Sequence, residues 1–255
     1  MNKIISFANS KGGVGKTTST IAVGCCLAEL GYKTLLIDLD HQGNLSDDFN
    51  RGDEDFTITD LFENPKFDIN KIIYTALNNA DEIENLFVIP ADITLAVEAR
   101  TAERFRYRLQ ILEDAIKKIS KDYDFILIDC RPAIDLSIEN AFLISDLIVI
   151  PVDMDRRAVK GIKDLLEVVR EVKRNKPFDY TLVYTKIDKR NKVMFEATNN
   201  RIKSEEYPIL DTQISISEKY KQSSEYKVPA PLLTKKDKPY TEYMELTKEL
   251  IKKYI

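Results

Sequence analysis

The segment Lys11-Gly12-Gly13-Val14-Gly15-Lys16-Thr17-Thr18 brings glycines, lysines and hydroxyls together in the order that phosphate chemistry needs. Glycines let backbone N–H groups turn inward and approach phosphate oxygens closely. A helix beginning near Lys16 adds the positive end of its dipole. In such a loop Lys16 reaches the β- and γ-phosphates, and the Thr17 hydroxyl binds Mg²⁺. The segment departs from G-x-x-x-x-G-K-[ST] at its start: Ser10 stands where the first glycine would be, and a second lysine, Lys11, follows it.

Two further segments end in carboxylates. Leu35-Leu36-Ile37-Asp38-Leu39-Asp40-His41-Gln42-Gly43-Asn44 reads as a buried strand that runs into Asp38 and Asp40. The two have the same parity on a strand, so both can point to one side. Phe125-Ile126-Leu127-Ile128-Asp129-Cys130-Arg131-Pro132 repeats the pattern with Asp129. Beside a phosphate, a carboxylate holds Mg²⁺ or its waters, or orients an attacking water. His41, the one histidine of the chain, adjoins Asp40. It is read as a tolerated loop residue rather than a general base, because phosphoryl transfer relies on positioning and electrostatics. Arg131 is read as a surface or interface salt bridge in preference to a cis-acting arginine.

The elements that must position these residues alternate. Strands are expected at Lys3–Ala8, Thr34–Asp38, Leu86–Ile89, Phe125–Asp129, Leu147–Val152 and Thr181–Thr185. Their near-continuous apolar character fits parallel strands covered on both faces. Helices are expected at Lys16–Leu30, Thr101–Ser120, Leu136–Ile144, Val159–Lys173 and Glu242–Lys253, with short ones at Thr59–Phe62 and Asn70–Leu77. The alternation predicts an α/β fold, a doubly wound and mostly parallel sheet with helices on both faces. In such sheets ligands bind at the carboxyl ends of the strands, where the loop at Lys11, the Asp38–Asp40 turn and Asp129 all fall.

The chain has 255 residues, 44% apolar and 31% charged, and no linker or low-complexity tract interrupts it. It is read as one domain over residues 1–255. No apolar run approaches the roughly 18 residues of a membrane span. Cys25, Cys26 and Cys130 lack metal-ligand spacing and read as small buried residues in a reducing compartment. Charge is uneven: residues 1–150 hold 15 Lys+Arg against 25 Asp+Glu, residues 151–255 hold 23 against 17. The net charge of −4 argues against a uniformly basic nucleic-acid binder, but the positive half leaves room for a local surface.

The loop with its second lysine resembles the deviant P-loop of the ParA/MinD class of ATPases. The D-x-D-x-Q-G-N run at Asp38, the I-D-C-x-P run at Ile128, Pro151-Val152-Asp153 and the end helix over Tyr243–Ile251 follow in the order of ParA-type partition ATPases. His41, Arg131 and Ser215 occupy positions where that family usually has proline, and Thr185 one where it often has asparagine. The resemblance implies an Mg²⁺-dependent ATPase that binds ATP through Lys11, Gly12, Gly13, Val14, Gly15, Lys16, Thr17, Thr18 and Thr185. Lys11 would reach the nucleotide of a facing subunit in a sandwich homodimer. Asp40 would position the hydrolytic water, with Lys11 and Lys16 as its catalytic companions. Thr17, Asp38 and Asp129 would form the metal side. ATP in preference to GTP rests on the resemblance.

The strand before the loop begins at Asn2, so the short form is expected, without a separate N-terminal DNA-reading domain. Such a protein would be cytoplasmic and nucleoid-associated. It would bind DNA without sequence specificity and be released when a ParB-like partner stimulates hydrolysis. DNA binding needs a Lys/Arg surface on phosphates. Candidates are Lys186, Lys189, Arg190, Lys192, Lys219, Lys221 and Lys227, with Lys248, Lys252 and Lys253 in the tail; Arg156, Arg157, Lys160 and Lys163 crowd a further helix start. The alternatives are a MinD-like membrane-positioning ATPase or a ParA-like ATPase that positions a protein cargo. The first needs an amphipathic anchor beyond the end helix, where only Lys252–Ile255 is left over, so no stable anchor is expected. A nitrogenase-iron-protein-like reading needs a second cluster cysteine to go with Cys130, and none is suitable.

Overall fold

The computed structural model describes residues 3–155, 158–174, 176–188, 190, 192–226, 228–229, 232 and 237–254, with Lys192, Lys221 and Ser224 described by their backbone alone. The strands are β1 (Lys3–Phe7), β2 (Thr34–Leu39), β3 (Tyr74–Asn78), β4 (Asp81–Ile89), β5 (Phe125–Cys130), β6 (Leu147–Val152), β7 (Asp179–Ile187) and β8 (Ile209–Ser215). They form one sheet in the order β3-β4-β2-β5-β1-β6-β7-β8. Every pairing is parallel except the β3/β4 hairpin at one edge. β1 therefore lies in the middle, and the loop that follows it opens at the centre of the sheet's carboxyl end.

The apolar runs of β2 and β5 are buried on both faces because alternate residues enter different cores. Leu35, Ile37, Leu39, Ile126 and Ile128 meet the side built by α3 (Ile58–Glu63), α5 (Ile111–Ile116), α6 (Leu136–Ile144) and α7 (Ala158–Val172). Leu36, Phe125 and Leu127 meet α1 (Lys16–Glu29) and the C-terminal helix, Lys238–Tyr254. Strand parity sends Asp38 and Asp129 to this second side, and the two are register partners on neighbouring strands. The remaining helices are α2 (Asn44–Asp48), α4 (Leu95–Thr101), α8 (Lys192–Lys203) and α9 (Lys219–Tyr226), so the C-terminal helix is α10.

The structure corrects three local expectations. Residues 70–77 are not a helix: a short 3₁₀ turn, Ile69–Ile72, leads into strand β3. The single helix expected over residues 101–120 is broken into the end of α4, two 3₁₀ turns and α5. β8 was not expected at all. Its sequence, Ile209-Leu210-Asp211-Thr212-Gln213-Ile214-Ser215, has too few apolar residues for a central strand, which is what an edge position allows.

That edge is covered from the side. Glu249 on α10 accepts from the backbone N–H of Asp211 (2.7 Å) and Thr212 (2.9 Å), and Glu242 accepts from Ser215 N (2.8 Å). Burial raises the Glu249 pKa, but Lys253 and the two amides outweigh it and hold the carboxyl at about 2. A depressed carboxyl pKa stabilises the fold above its unfolded value near 4.3, and that contribution is lost as pH falls towards 2. Glu249→Gln is expected to lower Tm at neutral pH by about 2–4 °C, the shift that accompanies roughly 1 kcal/mol in a chain of this size. It should also flatten the loss of stability below pH 4.3, both read by thermal melts across pH.

Candidate active site

The phosphate loop begins where the sheet's own pairing stops. Ala8 N donates to Val149 O on β6 at 3.0 Å, and beyond that β1 has no further residues. Pro151 lies on β6 where β1 would have continued, so its missing N–H costs no ladder bond. Its carbonyl accepts Asn9 Nδ2 at 2.7 Å, and Asn9 Oδ1 accepts Lys11 N at 2.9 Å. The buried Asn9 thereby fixes the entry to the loop. Gly13 and Gly15 have φ of 73° and 90°, which L side chains adopt at a cost. Gly15 precedes α1 directly. The N-terminus of α1 has no side-chain cap and no acidic residue in its first turn. By contrast, α3 is capped by a Thr57/Asp60 box and α6 by Asp135. An open helix N-terminus presents free N–H groups to an anion.

The two lysines have separate settings. Lys16 is buried, and its Nζ donates to Lys11 O at 3.1 Å, across the mouth of the loop. Burial lowers its pKa against the opposing pull of Asp129 and Asp40. Lys11 sits at the rim, where its Nζ bonds both oxygens of Asp153 (2.8 and 2.6 Å) and Asp155 Oδ2 (3.0 Å). Burial pulls the Lys11 amine down, but Asp153 and Asp155 outweigh it and leave the pKa above the ordinary value.

The carboxylates also divide. Asp38 Oδ1 accepts from Asp40 N (3.0 Å), and Oδ2 accepts from Ser46 N (3.0 Å) and Ser46 Oγ (2.7 Å). Ser46 Oγ in turn accepts Ala91 N at 3.0 Å, which ties in the loop after β4. Both oxygens of Asp38 are thus engaged by protein donors, and burial raises its pKa to about 6. Asp129 is the opposite case. It is buried, and neither oxygen has a hydrogen-bond partner of regular geometry. Burial and the Asp38 carboxylate push its pKa well up, while the Thr17 hydroxyl and Lys16 pull it down. An unpartnered buried carboxylate beside a threonine hydroxyl fits Mg²⁺, which in phosphate sites takes one or two carboxylates and completes its shell with phosphate and water. Among the described residues no larger group of His, Cys, Asp and Glu converges on a metal position.

A model of the AAA domain family matches residues 2–181. Over 256 aligned residues the chain is 31% identical to the sporulation initiation inhibitor protein Soj of Bacillus subtilis, covering 98% of both chains. The chain belongs to the ParA/Soj family of partition ATPases. A plasmid partition protein from Borrelia burgdorferi superposes with a TM-score of 0.72 at 28% identity, covering 92% of this chain and 99% of that one. A second structure from that organism, solved with AMPPNP bound, superposes with a TM-score of 0.83 at 26% identity over 99% and 100%.

The structure gives several of the expected site residues protein partners of their own. Thr185, expected among the ATP-binding residues, is buried and donates its hydroxyl proton to Val14 O at 2.7 Å, so it braces the phosphate loop from behind. A cavity of about 440 Å³ opens at the carboxyl ends of β7 and β8, lined by Ile187, Asp188, Arg190, Ser215, Ser217 and Lys238 among others. Arg190 is paired through Nε and an Nη with both oxygens of Asp188, which holds that carboxyl at about 2. The Arg190 side chain is exposed, so this is a solvated ion pair on a residue expected to contact DNA. Lys219 lies 3.4 Å from Asp237, and Lys253 is bound to Glu249 and Asp211. Lys186 is exposed, as are Lys248 and Lys252. Lys189 and Lys227 lie outside the described residues, as do Arg156 and Arg157, and Lys192 and Lys221 are placed only by their backbone at α8 and α9.

Reading the sequence residue by residue missed Asn9, Ser46 and the Asp153/Asp155 pair as working parts of the site. Asn9 adjoins the phosphate loop and Ser46 follows the Asp38 run, so proximity was the available signal; the Lys11 pairing, with partners 142 and 144 residues away on the neighbouring strand's loop, had none. Arg131, expected in a surface or interface salt bridge, instead pairs within the protomer with Asp135, the cap of α6, and its side chain is mostly buried. Its Nη1 also meets His41 Nδ1 at 3.1 Å.

Proposed function

We infer that the chain binds Mg²⁺·ATP at the carboxyl end of β1 and closes on a second copy of itself. As a dimer it binds DNA without sequence preference and is released by hydrolysis that a ParB-like partner stimulates. One observation carries the dimer reading. Lys16 fills its own loop, whereas Lys11 projects to the rim and is held only by exchangeable carboxylate contacts, Asp153 and Asp155. A lysine that does not serve its own loop is available to the nucleotide of a facing subunit.

Within one protomer the open N–H groups of α1 and the glycine turns would cradle the phosphates, and Lys16 would neutralise them. Thr17 and Asp129 would hold Mg²⁺, which when bound draws charge from the transferring phosphoryl group. Asp38 organises the Asp40 loop through Asp40 N and Ser46, and Asp40 orients the attacking water. The base would enter the cavity between β7 and β8. DNA contacts would come from Lys186 and the α8 and α9 lysines. No described helix is long and apolar enough to cross a membrane.

The deciding experiment is binding to a random-sequence duplex with ATP, with ADP and without nucleotide, across a salt series, with Lys16→Ala as control. Tight, salt-sensitive binding that needs ATP and is lost in the variant is the expected result. No DNA binding in any state would overturn the reading and turn attention to lipid vesicles or a protein cargo.

A further inference from the structure

His41 and Arg131 come from different loops, after β2 and after β5. The fold brings them into contact: Arg131 Nη1 lies 3.1 Å from His41 Nδ1. Asp40 Oδ1 lies 3.6 Å from the same His41 nitrogen. Arg131 is anchored behind by Asp135, which is itself fixed at the start of α6 by Ser137 N (3.1 Å) and Ser137 Oγ (2.6 Å). The Arg131 side chain is mostly buried, and its Nε has no partner, so the guanidinium is held at its two Nη ends. The loop that carries it runs beside the phosphate loop: a Cβ added at Gly12 would come to 3.8 Å from Pro132 Cγ.

A guanidinium has donors and no acceptor. The Arg131–His41 bond therefore requires His41 Nδ1 to accept, which leaves the imidazole proton on Nε2. A histidine nitrogen that accepts cannot also donate to Asp40. Without Arg131, the same Nδ1 would be free to carry a proton and close the 3.6 Å gap to Asp40 Oδ1. That bond would add a second donor to an oxygen that already accepts Gln42 N at 3.1 Å, and so fix the orientation of the carboxylate that must orient water.

We propose that Arg131 is a positioning residue for hydrolysis: it occupies His41 Nδ1, selects the Nε2–H tautomer and so keeps His41 from capping Asp40. The inference rests on the reading of Asp40 as the water-orienting carboxylate. It predicts a coupling that a plain structural salt bridge does not produce. Arg131→Gln should lower kcat for Mg²⁺·ATP about tenfold with little change in KM, a fraction of the roughly 10²-fold that a 1 Å misplacement can cost. In a His41→Ala background the same Arg131→Gln change should have little further effect on kcat, because nothing remains to cap Asp40.

The tautomer can be read in the unaltered protein. With one histidine in the chain, ¹⁵N-histidine labelling gives a single imidazole spectrum. Nδ1 unprotonated and Nε2 protonated is expected, with Nδ1 gaining a proton in Arg131→Gln. A protonated Nδ1 in the wild type would overturn the proposal. So would an Arg131→Gln loss of kcat equal in size with and without His41. Asp40→Ala separates the two levels of the argument. If it is inactive while Arg131→Gln runs at the wild-type rate, the tautomer control falls and the Asp40 reading stands. If Asp40→Ala itself hydrolyses at the wild-type rate, both fall.

Discussion

Asp40→Ala is expected to reduce steady-state ATP hydrolysis by roughly 10²-fold or more, the range over which a positioned acid–base or water-orienting group acts. Nucleotide affinity should hold or rise slightly, since a negative charge near the phosphates is removed. The geometry makes the separation clean. Asp40 Oδ1 is engaged by Gln42 N at 3.1 Å, whereas the backbone of the loop is fixed from below by Asp38 and Ser46. Truncating the side chain leaves those ties in place. Phosphate-release kinetics beside an ATP titration decide the matter, and light scattering should find the variant accumulating as an ATP-bound dimer. A rate close to wild type would remove Asp40 from the chemistry.

Lys16→Ala should act one step earlier, on binding. Lys16 is buried beside Asp129 and Asp40, and it is the positive charge that offsets both them and the incoming phosphates. Removing one member of a buried charge set costs about 2–5 kcal/mol, so ATP affinity is expected to fall by roughly 10²-fold or more. The nucleotide-free fold should survive. Burial already pushes the Asp129 pKa well up, and without Lys16 that carboxyl can take a proton instead of remaining as an isolated charge. Titration with a fluorescent ATP analogue measures the loss, and a melt without nucleotide measures the tolerance. Undiminished affinity would mean that the loop binds phosphate through its backbone alone.

The core of the sheet was legible because buried parallel strands write themselves as apolar runs; β2, β5 and β6 each read as one. The phosphate loop was legible because its glycines and hydroxyls serve local geometry. Legibility failed at the edges. β3 and β8 face solvent or a single helix, so their alternation is weak, and a polar strand such as Ile209–Ser215 looks like loop. The break between α4 and α5 has no proline or glycine to announce it. Side-chain partnerships between distant segments were the other blind spot. Nothing in the spacing of Lys11 and Asp153, of Thr185 and Val14, or of Arg190 and Asp188 tells which charges and hydroxyls are already engaged.

The bare start of α1 has a consequence for how the protein holds itself together. α3 and α6 close their first turns with their own side chains, but α1 delegates that task. Whatever anion arrives there completes the secondary structure of the chain. The first turn of α1, and the loop before it, should therefore exchange amide protons quickly when empty and slowly when filled, so occupancy is written into the backbone as a local melting equilibrium. A departing phosphate would unfasten a piece of the fold as well as empty a pocket.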